Sequence, residues 1–197
     1  MSIPFGTDVW VPLDPSHAIL GNVADEGRGL VSKTVGGTDW WRTTERHSTN
    51  GPTLGFWREV GTGFEVSVDI EIEPRVQYSD QATLFVYVSP NQWLKTGIEY
   101  DAGALWNGAV VCNPYSDWSL SRRREDDSAR FKVQVAPNEL KVFLGDDMIR
   151  EVKWFGPPEV HAQRNQKIFV GIMACSPKEG GADVSWANFE MIEGLPK

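Results

Sequence analysis

With 197 residues, 41% of them hydrophobic and 23% charged, the chain reads as a globular protein long enough to bury a substantial core without disulfide or metal staples. Its formal charge of −8, from 27 acidic and 19 basic residues, argues against nucleic acid or an anionic membrane as a partner. The basic run Arg122-Arg123-Arg124 does not alter this, because Glu125-Asp126-Asp127 follows at once and the whole reads as a solvated turn.

Short apolar runs between turn signals dominate the chain, and no segment keeps a helical period. Early strands are predicted at Gly29–Val35, Asp39–Thr44 and Pro52–Glu59. From Phe64 to Ile72 the alternation is strict: Phe64, Val66, Val68, Ile70 and Ile72 share one parity, while Glu65, Ser67, Asp69 and Glu71 share the other. One face of that strand should meet a core and the other water. The run Gln81–Ser89 is continuously apolar from Leu84 to Val88, which predicts a central strand covered on both faces. Ser89-Pro90-Asn91 turns the chain. Gln92–Tyr100 then returns with Leu94, Thr96, Ile98 and Tyr100 on one side and Trp93, Lys95, Gly97 and Glu99 on the other, forming a hairpin with its predecessor. Further strands are predicted at Ala104–Asn113, Asp117–Arg122, Ala129–Ala136, Glu139–Gly145, Met148–Phe155, Lys167–Cys175 and Ala182–Ile192. Roughly a dozen strands of ordinary length imply an all-β fold, a two-sheet antiparallel β-sandwich.

No linker, repeat or low-complexity stretch divides the chain, so residues 1–197 are expected to form a single domain. The N-terminus, Met1-Ser2-Ile3-Pro4-Phe5-Gly6, has neither a basic nor an apolar signal region. No apolar run is long enough to span a bilayer. Cys112 and Cys175 both sit in apolar strand-like runs and are expected as buried free thiols, as in a reducing, cytoplasmic compartment.

Five segments together resemble a known family: Thr38-Asp39-Trp40-Trp41-Arg42, Ser79-Asp80-Gln81-Ala82, Asn91-Gln92-Trp93-Leu94-Lys95-Thr96-Gly97-Ile98-Glu99-Tyr100, Tyr115-Ser116-Asp117-Trp118-Ser119 and Met173-Ala174-Cys175-Ser176-Pro177. In this order and spacing, from about Asp39 to Ile192, the chain resembles the DUF1349 family, which includes the fungal "regulation of enolase" proteins. The resemblance implies a concanavalin A-like jelly roll with a concave sheet face. It implies no settled activity beyond a link to enolase regulation or sugar metabolism. Glu45-Arg46-His47-Ser48-Thr49-Asn50-Gly51-Pro52 departs from the His-Asp-Asn-Gly pattern of the family, so no role is carried over to His47.

The strand Gln92–Tyr100 supplies the first candidate site. Trp93, Lys95 and Glu99 share a face, Asp80 and Gln81 enter the paired strand nearby, and the family pattern adds Trp118, Asp117, Trp40 and Arg42. Aromatic faces beside hydrogen-bonding side chains suit a sugar, and Lys95 with Arg42 would suit a phosphorylated or carboxylate metabolite. A salt-bridged polar layer, Lys95 with Glu99 or Asp80, would explain the same residues structurally. A buried face seldom carries both a Lys and a Glu without cause, so the ligand site is preferred.

Asp69, Glu71 and Glu73 form the second candidate. Alternate carboxylates on one strand lie near the separation that retaining glycosidases use. The order is reversed from that of concanavalin A-like glucanases, with Asp first and Glu in the centre, and Pro74 ends the run, so a solvated outer face on an acidic protein is the reading taken. His17, His47 and His161 are scattered and no metal-ligand spacing occurs. No nucleophile elbow or phosphate cradle is present either. The expected function is therefore a non-catalytic binding or regulatory domain for a carbohydrate or small anionic metabolite, without a cofactor. A glycoside hydrolase built on Asp69–Glu73 and a protein-interaction domain are the alternatives.

Overall fold

Short apolar runs can hide their side chains only by pressing sheet against sheet, and the computed structural model, which describes residues 1–73, 79–153, 155–156 and 164–195, folds in this way. In chain order the strands are β1 (Gly21–Ala24), β2 (Gly29–Lys33), β3 (Trp40–Arg42), β4 (His47–Thr49), β5 (Thr53–Glu59), β6 (Phe64–Glu73), β7 (Asp80–Ser89), β8 (Gln92–Asp101), β9 (Ala104–Cys112), β10 (Ser116–Arg122), β11 (Arg130–Ala136), β12 (Glu139–Leu144), β13 (Asp147–Lys153), β14 (Lys167–Cys175) and β15 (Asp183–Glu193). A seven-stranded sheet has the order β1-β2-β15-β6-β11-β12-β13, and a six-stranded sheet has the order β10-β9-β8-β7-β14-β5. The pairings within both sheets are antiparallel. The architecture is an all-β, concanavalin A-like jelly roll.

The alternation of β6 explains the core. Phe64, Val66, Val68 and Ile70 point inward and are fully buried, meeting Leu84, Val86, Leu94, Ile168, Val170 and Ile172 from the facing sheet. The N-terminal segment closes one end, with Trp10 stacked on Phe5 at 4.7 Å and set edge-on to Phe189 at 4.9 Å. The opposite face of β6 is not wholly in water as its parity suggested. Glu65 and Ser67 are buried, because Gln134 and Arg130 on the neighbouring β11 reach across to them at 2.9 and 2.8 Å.

The six-stranded sheet carries an apolar cluster on each face, as the unbroken run in β7 predicts. Its inner face joins the core. On its outer face Phe85, Trp93, Val110, Cys112, Phe169, Met173 and Cys175 form a second cluster, covered by Trp40 from the β3–β4 hairpin. Both cysteines are buried free thiols.

Strands β1 and β4 were not anticipated. Each is short, and neither has an alternating apolar pattern to reveal it. Among the described residues no helix is long and apolar enough to cross a membrane. Pro74, His161 and the end of the strand expected at Met148–Phe155 around Trp154 lie outside the described residues.

Candidate functional site

Three cross-strand rows on the outer face of the six-stranded sheet build the site. In the first row Phe85, Lys95, Val110 and Trp118 lie opposite one another on β7, β8, β9 and β10. In the third, Cys175, Gln81, Glu99 and Trp106 do the same on β14, β7, β8 and β9. The row between them reads Met173, Thr83, Gly97, Gly108 and Leu120. Two adjacent glycines there remove the side chains that would otherwise level the surface. The result is a depression between the Lys95 row and the Glu99 row.

The β3–β4 hairpin walls this depression. Asp39, just before β3, is fixed by its own backbone: its carbonyl accepts from Asn50 and Gly51, and its amide donates to the Asn50 side chain. Its carboxylate reaches Lys95 Nζ at 3.0 Å through Oδ1 and the Arg46 guanidinium at 3.1 Å through Oδ2. The cavity so formed measures about 280 Å³ and includes Asp39, Trp41, Arg46, Lys95, Glu99 and Trp118 in its lining. Trp41 and Trp118 meet edge to face, 6.2 Å apart and at 87°. Trp118 is 43% exposed, so its ring is accessible at the rim. Beneath lies a niche of about 10 Å³ between Gly97, Gly108 and Glu99, about the size of one water.

The floor is charged yet nearly dry. Lys95 is 2% exposed and Glu99 6%. Burial would lower the Lys95 pKa, but the acidic neighbours raise it by more, above all the Asp39 carboxylate bonded to Nζ, so the ammonium stays charged. Glu99 is pushed up to about 7, chiefly by burial, although Lys95 pulls it down. It accepts from Gln81 Nε2 at 3.2 Å and from the Trp118 side chain. At neutral pH it therefore stands between acid and carboxylate and can donate or accept a hydrogen bond. Burial also pushes the Cys175 thiol far up, so it is a neutral neighbour and not a nucleophile.

The residues singled out from the sequence have different fates. Lys95, Glu99, Gln81 and Trp118 are brought together in the cavity lining. Trp93 shares their face, but it is fully buried under Trp40, with the two rings 5.7 Å apart. It supports the site and offers no ring to a ligand. Trp40, also buried, covers the second apolar cluster and donates its indole N–H to the Gly51 carbonyl. Arg42 turns toward Tyr115, its guanidinium 6.0 Å from the ring centroid. Asp80 faces the opposite side of the sheet from Gln81, is fully buried, and accepts from Thr34 at 2.6 Å. Asp117 is paired with Arg150. Asp69 lies on the other sheet, ion-paired with Arg130 at 3.2 Å and accepting from Asn188 at 2.8 Å, while Glu71 and Glu73 are exposed on the same outer face.

Asp39, Trp41, Arg46, Asp101 and Lys178 also line the cavity without having been singled out, beside Ser79, Val110 and Pro177. Parity held the signal for Trp41, since consecutive residues of a strand point opposite ways and only one of Trp40 and Trp41 can enter this cavity. Among the described residues no cluster of His, Cys, Asp and Glu is arranged to hold a metal.

The model of one family, described as "Protein of unknown function (DUF1349)", matches residues 21–193. The chain belongs to the DUF1349 family. It is 29% identical over 181 residues to "Regulation of enolase protein 1" of Saccharomyces cerevisiae, covering 89% of this chain and 87% of that one. A functionally unknown Saccharomyces cerevisiae protein of known crystal structure superposes on this DUF1349 chain with a TM-score of 0.74 at 24% identity, over 95% of this chain and 98% of the other. The GH43 protein BlXynB of Bacillus licheniformis, studied as a mutant, gives a TM-score of 0.62 at 17% identity; the match takes 93% of this chain but only 36% of that one. An alginate lyase of polysaccharide lyase family 7 gives 0.51 at 16% identity, over 91% and 84% of the two chains. These likenesses establish the jelly-roll fold of the DUF1349 chain.

Proposed function

We propose that the cavity binds a small saccharide unit and that binding serves a regulatory purpose rather than turnover. The observation that carries this reading is the pairing of a half-buried and an exposed indole, Trp41 and Trp118, in the wall of a cavity whose buried floor of Lys95, Glu99 and Gln81 can hydrogen-bond. A sugar ring presents C–H groups that pack on indole and hydroxyls that need both donors and acceptors. A volume of about 280 Å³ lies at the small end of ligand pockets and fits one such unit. A neutral ligand is favoured over an anionic metabolite because Lys95 and Arg46 are both bonded to Asp39, and Glu99 and Asp101 stand in the lining beside Lys178. The regulatory part rests on the likeness to the yeast protein named for regulation of enolase.

The test is a thermal-shift screen against mono- and oligosaccharides, with sugar phosphates and glycolytic acids alongside. A ligand at about a hundred times its dissociation constant stabilises the fold by roughly 2.7 kcal/mol. Saccharide hits lost in Trp118→Ala and in Gln81→Ala support the reading. Hits confined to phosphates and carboxylates overturn the neutral ligand, and no hit at all overturns a small-molecule site.

A further inference from the structure

A second pocket on the same outer face lies on the other side of the β3–β4 hairpin. It measures about 340 Å³ and is lined by Leu13, Asp14, Trp40, Thr49, Trp57, Tyr87 and Pro90. Its Trp57 and Tyr87 belong to an aromatic row set by strand register, in which Trp57 on β5, the buried Phe169 on β14, Tyr87 on β7 and the buried Trp93 on β8 lie opposite one another. The rings are not coplanar. Tyr87 stands at 81° to Trp57 with centroids 6.1 Å apart, and at 73° to Trp40 with centroids 5.6 Å apart. Trp57 is 49% exposed, a large aromatic surface left open to solvent.

The polar content of this pocket is sparse and one-sided. The Trp40 indole N–H is already bonded to Gly51. Thr49 and Tyr87 bring one hydroxyl each. The charged lining group is Asp14, whose carboxylate is held by the Ser16 amide at 2.8 Å and the Ser16 hydroxyl at 2.7 Å, with His17 Nδ1 at 3.3 Å. These hydrogen bonds keep it well below the usual carboxylate range and hence anionic. No lysine or arginine is among the described lining residues. A sugar placed here would leave most of its hydroxyls unmet. An organic cation needs no hydrogen-bond acceptors: its charge is met by π faces and one carboxylate. The chain's net charge of −8 also raises the local concentration of cations.

We propose that the Trp57–Tyr87–Trp40 corner with Asp14 is a binding site for a small organic cation, of the quaternary or multiply methylated ammonium class. The cation sits against the open face of Trp57, with the Tyr87 and Trp40 rings behind it and Asp14 at its edge. The site is independent of the saccharide pocket, since Trp41 and Trp40 send their side chains to opposite sides of the same hairpin.

The test titrates the whole chain with tetramethylammonium and with choline, read by tryptophan fluorescence and calorimetry. The uncharged isostere 3,3-dimethylbutan-1-ol is titrated in parallel. Both cations should saturate, and the neutral alcohol should bind roughly tenfold more weakly or worse. Trp57→Ala should lose at least about tenfold in affinity and Asp14→Asn several-fold, while Trp57→Phe, which keeps a π face over Phe169, should retain part of it. The proposal is overturned if the neutral alcohol matches choline. It is equally overturned if folded Trp57→Ala binds as tightly as wild type, or if neither cation saturates.

Discussion

Lys95 Nζ lies 3.0 Å from Asp39 Oδ1, and the two side chains are only 2% and 6% exposed. This pair joins a central strand of one sheet to a hairpin that lies across it, so it ties the floor of the cavity to its wall. The two ends are not equivalent, because Asp39 also binds Arg46 at 3.1 Å whereas Lys95 has lost water with little else to replace it.

That asymmetry predicts unequal mutational costs. Asp39→Asn leaves a buried ammonium facing a neutral amide and should cost about 3–5 kcal/mol. Lys95→Met leaves Asp39 with its Arg46 partner and should cost clearly less. Joint replacement, Lys95→Met with Asp39→Leu, should recover part of the loss, since a buried pair is more damaging broken than absent. Urea midpoints at constant slope measure all three. Equal costs for the two single variants would show that Arg46 does not hold Asp39 in solution.

Glu99 should make stability fall as pH rises. Its pKa goes from an ordinary 4.5 to about 7 in the folded protein, mainly through burial. Because the folded value is the higher one, the protonated carboxyl contributes stability that is complete below 4.5, declines as pH rises, and is gone above about 7. The span is roughly 3 kcal/mol. Glu99→Gln stays neutral throughout and keeps an acceptor for Gln81. It should match wild type in acid and exceed it in alkaline buffer, flattening the pH profile of the urea midpoint. A variant that keeps the wild-type slope would assign that slope to another group.

Two tryptophans that the sequence placed in one site should behave differently. Trp93 is fully buried against Trp40 and Phe85, so Trp93→Ala should cost about 3–5 kcal/mol of stability. Trp118 is 43% exposed and touches Trp41 at the rim, so Trp118→Ala should cost under about 1 kcal/mol while abolishing saccharide binding. Denaturation curves beside binding isotherms separate the two. Loss of binding in a Trp93 variant that is as stable as wild type would return that residue to the ligand surface.

The contrast marks how far the sequence could be read. Face assignments within a strand were legible, because period two is local: Leu94 and Ile98 go to the core, and Lys95 and Glu99 go to the other side. The same rule separates Asp80 from Gln81, although both were expected in one site, and Trp40 from Trp41, of which Trp40 was the one expected there. What lay beyond local pattern was the covering of one strand by another far away in sequence. Trp93 looks like an exposed aromatic until Trp40 is laid over it. Asp39 looks like a strand-end acid until it meets Lys95, fifty-six positions on. Strand β4, with the sequence His-Ser-Thr, is held by pairing with β3 and carries no signal of its own.

The glycines between the two polar rows yield the last prediction, because they connect the sheet to the cavity. A Cβ added at Gly97 would come within 2.1 Å of the Ala82 carbonyl oxygen, a backbone atom that cannot move aside without breaking the β7–β8 ladder. A Cβ at Gly108 would instead meet the flexible end of Leu120 at 3.1 Å and lie 3.8 Å from Glu99 Oε2. Gly97→Ala should therefore cost about 1–3 kcal/mol or more through strain in the sheet. Gly108→Ala should fold with little loss, since Leu120 can yield by a few tenths of an ångström. Its methyl group would nevertheless fill the water-sized niche beside Glu99. Saccharide affinity should fall in Gly108→Ala without a matching fall in melting temperature. If that variant binds normally, the niche plays no part in recognition and the binding surface lies higher, between the rings of Trp41 and Trp118.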